Sequence, residues 1–144
     1  MKKLFFLCLL VMGCATFVAC GDDDDDEKVE KIDPINTVTD AVISEKGNQL
    51  VLTYTQTIKE IDVTITNKLT CTFQNDRCVS AIYETTYPTE QIARMSYEDA
   101  INEEPDKRDY YSLNGKVVIY DMTSEFEGLD KATVKRMMQG MANM

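Results

Sequence analysis

Residues 49–87, QLVLTYTQTIKEIDVTITNKLTCTFQNDRCVSAIYETTY, read as three strands in succession. From Gln49 to Ile58, Leu50, Leu52, Tyr54 and Ile58 alternate with Val51, Thr53, Thr55 and Thr57. A period of two in β-branched residues is the mark of a half-buried strand. From Ile61 to Phe73 the alternation continues, with Asp62, Thr64, Thr66, Lys68, Thr70 and Thr72 on the wet side. The apolar phase moves from even to odd between Ile58 and Ile61, so Lys59-Glu60 must be a turn or a bulge. Gln74-Asn75-Asp76 reads as the next turn, and a third strand runs from Arg77 to Tyr87. A meander with one Thr-rich face suits an antiparallel sheet whose other face is packed.

Outward from the meander the signals are local. Lys46-Gly47-Asn48 reads as a turn, preceded by a weak strand at Val38–Ile43. Pro88 closes the meander, and Thr89 is placed to cap a helix with Glu90 in its first turn. Ile92, Ala93, Tyr97, Ala100 and Ile101 fall on one face of that helix, which Pro105 ends. Asp106 to Asp109 reads as a charged loop. Asn114-Gly115 is a turn signal between a short strand, Tyr110–Leu113, and a longer one, Lys116–Met122. Asp130 is placed to cap a last helix, with Leu129 and Val134 as its hydrophobic staple. Val134, Met137, Met138 and Met141 then follow helical spacing, a pattern that reads as core. The order predicts an α+β fold: an antiparallel meander sheet of four to five strands, packed on one face by two helices.

The chain has 144 residues, room for one such domain, expected over 37–144. With 15 basic and 25 acidic residues, its net charge of −10 speaks against nucleic acid as a partner. There is no His, which removes the commonest general base and zinc ligand. No cofactor motif and no metal-ligand spacing stands out. The acids Glu84, Glu98, Asp99, Glu103, Glu104 and Asp121 read as solvated surface, and the chain is not read as an enzyme.

The first residues read as an address. Lys2 and Lys3 precede an apolar run from Leu4 to Ala19, too short for the ~20 residues of a spanning helix. A positive start, a short apolar run and small residues before a cut make a secretory signal peptide over 1–19. The run ends Phe17-Val18-Ala19-Cys20, followed by Gly21 and the six acids Asp22 to Glu27. This resembles the lipobox and acidic export stretch of small bacterial lipoproteins of the Bacteroidetes type. Phe17 and Val18 depart from the commonest residues at their positions; Ala19 and Cys20 fit. The resemblance implies lipidation at Cys20, a tether over 20–36, and a place in the cell envelope at the outer membrane, with display at the surface. Val11-Met12-Gly13-Cys14 is a competing box. The resemblance covers residues 1–27 and names no family for the folded part. The Asp run is not a calcium loop, because its sixth position is Glu27 where an EF-hand needs glycine.

Removing the signal and lipidating Cys20 leaves Cys71 and Cys78. Two cysteines in an exported chain suggest one disulfide across a hairpin. Register opposes it, because 71 is odd and 78 even, unless a bulge near Arg77-Cys78 shifts the phase. A bridge and two separate thiols both stay open at this stage. Tyr110 and Tyr111, beside the charged loop, and the tip Gln74, Asn75 and Asp76 are the candidate binding residues. The expectation is a non-catalytic, lipid-anchored module that docks an envelope protein or glycan through its Thr-rich face or Tyr-bearing edge. The alternative is a small inhibitor of a secreted hydrolase or protease, presenting the 74–76 tip.

Overall fold

The structure, a computed structural model, describes residues 36–143. The signal peptide, the lipobox at Cys20 and the acidic stretch lie outside the described residues. Six strands form one antiparallel sheet: β1 (Asn36–Lys46), β2 (Gln49–Ile58), β3 (Val63–Gln74), β4 (Arg77–Thr86), β5 (Tyr111–Asn114) and β6 (Val117–Asp121). Their order across the sheet is β1-β2-β3-β4-β6-β5. The helices are α1 (Glu90–Glu103), a 3-10 turn (Pro105–Tyr110), the short α2 (Thr123–Phe126) and α3 (Lys131–Ala142). The class is α+β, and the sheet has six strands where four to five were expected. Both weak strands form: β1 runs well beyond Val38–Ile43, and β5 lies one residue on from the short strand expected at Tyr110–Leu113.

The meander follows its alternation. Leu50, Leu52, Tyr54, Gln56 and Ile58 of β2 are buried, as are Ile65, Asn67, Leu69, Cys71 and Phe73 of β3. The phase change falls in the turn 59–62, where Asp62 takes φ 50° and Ile61 is exposed. The next turn is Asn75-Asp76, with φ of 51° and 65°. Two left-handed residues in a two-residue loop make the type I′ turn, whose twist matches that of the flanking strands.

Right after this turn the register shifts. Thr72 faces Ser80 while Phe73 faces Cys78, so Val79 is the extra residue of a bulge. The shift turns Cys78 into the core and Val79 out to solvent. The expected disulfide is nonetheless corrected: Cys71 and Cys78 are both free and buried. Cys71 faces Ala81, so the two cysteines are diagonal neighbours rather than opposite ones. Diagonal positions lie ~7–8 Å apart, beyond the ~4.4–6.8 Å between Cα atoms that a disulfide spans.

Both long helices start on their expected caps. Thr89 Oγ1 accepts from the Ile92 amide at 3.2 Å, and the Asp130 carboxylate accepts from the Thr133 amide at 3.0 Å. Helix α1 contacts β5 and β6, and α3 contacts β1 and β2. Ala93 and Ala100 of α1, Val134, Met138 and Met141 of α3, and Phe126 of α2 share one core cluster with the buried side of the sheet. Met137, expected on the apolar face, is 36% exposed. Of the expected set, Val134, Met138 and Met141 are buried. The charged loop at 106–109 is instead the 3-10 turn, which Pro105 starts.

Candidate functional site

The side of the sheet opposite the core is built of small branched side chains. Antiparallel register aligns them in rows across the strands. One row reads Thr39, Thr55, Thr66, Thr86 and Val117; the next reads Val42, Thr53, Lys68, Glu84 and Ile119; a third reads Ser44, Val51, Thr70, Ile82 and Asp121. All are exposed or half-buried, and Val42 is 59% exposed.

Several polar atoms of this surface pair with one another. The hydroxyls of Thr39 and Thr55 lie 2.7 Å apart, and those of Thr57 and Thr64 3.1 Å apart. Gln49 donates to Thr72 Oγ1 at 3.2 Å. Lys68 Nζ stands 3.6 Å from Glu84 Oε2.

The tyrosine edge divides. Tyr110 is 47% exposed at the mouth of β5, whereas Tyr111, one residue on, is 5% exposed. Tyr111 stacks on Tyr120 with ring centroids 4.4 Å apart and planes at 17°. Its hydroxyl donates to Glu104 Oε2 at 2.9 Å, and Lys107 donates to Glu104 Oε1 at 3.2 Å. The Tyr120 hydroxyl donates to Glu125 Oε1 at 3.1 Å. Burial, then the adjacent carboxylates, push both phenols well above their ordinary range, so they stay neutral donors. Tyr111 is thus part of a brace that ties the sheet edge to the 3-10 turn and α2. Sequence reading missed Glu125 because α2 is too short to show a periodicity.

The other candidates, Gln74, Asn75 and Asp76, are exposed on the β3–β4 turn. That turn and Tyr110 belong to different parts of the sheet, since β6 and β4 separate β5 from β3. The structure does not bring the two groups together. Among the described residues no three His, Cys, Asp or Glu side chains are placed to hold a metal ion. A shallow dent of about 280 Å³ is lined by Glu90, Gln91 and Arg94 on the first turns of α1.

Comparison with protein-family models, with curated proteins and with solved structures found no match.

Proposed function

We propose that the chain is a lipid-anchored protein of the cell envelope, at the outer membrane, acting as a non-catalytic interaction module. Its docking surface is the Thr-rich side of the sheet. In this reading the two longer helices cover one side and leave the other open. The observation that carries it is the continuity of that open side: aligned rows of small branched residues, several of whose polar atoms are mutually paired. The face carries few charges for its size, and large weakly polar patches mark interaction sites.

Fatty-acid labelling of cells expressing the full chain tests the anchor: label incorporates, and Cys20→Ala abolishes it. Label that stays on the Cys20→Ala chain and leaves Cys14→Ala would move the anchor to Cys14. Arginine at Thr70 tests the docking surface: retention of the chain on the envelope fraction from which the lipid has been released falls at least ~10-fold, as for a charge buried at an interface centre.

The exposed β3–β4 turn favours a second reading, an inhibitor that inserts Gln74–Asp76 into a secreted hydrolase or protease. Its two left-handed residues fix the tip before binding, which lowers the cost of docking. A panel of lytic enzymes whose rates are unmoved by the full chain eliminates it.

A further inference from the structure

The sheet order places three strands on each side of the line between β3 and β4. Lys68 and Glu84 face each other across that line. They are the only charged residues in 49–57, 64–72 and 80–86, in a chain of net charge −10. The midline of the open face thus carries one cation and one anion side by side, and a further carboxylate, Asp121, stands beside Ile82 at the end of β6. From this we propose that the occupant of the open face is a second copy of this chain, packed sheet on sheet about a two-fold axis. The proposal rests on the reading of this face as a docking surface and names its partner.

The symmetry follows from the placement of the pair. A two-fold axis lying between the sheets, parallel to the strands and over the β3–β4 line, sets β3 against β4 of the second copy. Lys68 then faces the second copy's Glu84, and Glu84 the second copy's Lys68. An isologous contact requires this kind of self-complementarity. The same operation sets β2 against β6 and β1 against β5, so every strand has a counterpart. Thr66 meets Thr86, Thr70 meets Ile82, and Thr53 meets Ile119.

Three further features suit a dry sheet-on-sheet contact. The hydroxyl pairs Thr39–Thr55 and Thr57–Thr64 are satisfied within one copy, so covering them strands fewer donors. Thr, Val and Ile have stiff side chains, and docking costs them little rotamer freedom. β5 and β6 have only four and five residues, so facing strands overlap over ~6 residues on average, and six strands at ~4.8 Å spacing give ~600 Å² per copy. Two such faces bury ~1,200 Å², at the lower end of the ~1,200–2,000 Å² of stable interfaces. A glycan would be expected to stack on aromatic rings, and the rows of this face contain none.

Sedimentation equilibrium of the full chain in density-matched detergent tests this. A dimer is expected at tens of micromolar. Lys68→Glu and Glu84→Lys each raise its dissociation constant at least ~10-fold, and the double exchange restores it. Thr70→Arg gives a monomer with an unchanged circular dichroism spectrum, and serves if either charge variant fails to fold. A monomeric wild type, or a dimer that Thr70→Arg leaves intact, overturns the proposal. If the wild type is monomeric and Thr70→Arg still lowers retention on envelope fractions, the second copy is wrong and the docking surface stands. If Thr70→Arg moves neither, both fall.

Discussion

Asp130 shows how one side chain sets both a helix and a pH dependence. Its carboxylate accepts from the Thr133 amide, and that bonding, aided by Arg77 and Arg136, holds its pKa below the ordinary aspartate range. Glu45 is held low in the same way by the Lys131 ammonium that donates to it. A carboxyl whose folded pKa is depressed stabilises the fold above its unfolded value, and that contribution is lost as pH falls through the folded value. Thermal midpoints measured from pH 7 to pH 3 should therefore fall. The fall should be shallower in Asp130→Asn, which keeps a cap oxygen without the acid. The thiols behave differently. Burial pushes Cys71 far up, and Cys78 up as well, so neither is a thiolate near neutrality. A thiol reagent at pH 8 should label both only as fast as the chain opens. Rapid labelling of the native protein would contradict their burial.

At the scale of elements, two arrangements decide stability. Helix α1 is fixed at its start by Thr89, and Thr89→Ala should cost ~1 kcal/mol, measured by urea denaturation. Beneath the helices, the sheet holds a polar row within its core. Asn67 donates to Gln56 Oε1 at 3.3 Å and accepts from Thr85 Oγ1 at 2.9 Å, while the Tyr54 and Tyr83 hydroxyls lie 2.8 Å apart. Asn67 is fully buried and joins three adjacent strands through its side chain. Asn67→Ala should destabilise by ~2–3 kcal/mol, because it removes volume and withdraws a hydrogen-bond partner from a buried group. A loss under ~1 kcal/mol would mean that the row is hydrated in solution. The period of two put Asn67 and Gln56 on the buried side. That they meet each other depends on register, which the sequence of one strand does not carry.

For the whole molecule, one cluster links all six strands' buried side with the helices. A single core of this kind unfolds as one unit, so fluorescence and circular dichroism should give coincident urea transitions. Separate transitions would show that α3 or the β5–β6 hairpin melts alone. The residue pattern by itself determined the three central strands, the two capped helices, the Asn-Gly turn and the Thr-rich surface. These follow from neighbours in the chain, where periodicity and capping chemistry act. Tertiary structure alone decided the rest. Val79 bulges outward, so Cys78 enters the core yet stands diagonal to Cys71 and leaves it unbridged. Adjacent Tyr110 and Tyr111 part company, one open and one stacked on Tyr120. Lys68 and Glu84, sixteen residues apart, meet on the midline of the sheet. Each of these is a relation between strands, set by register and by what the core can fill, and no single stretch of chain contains it.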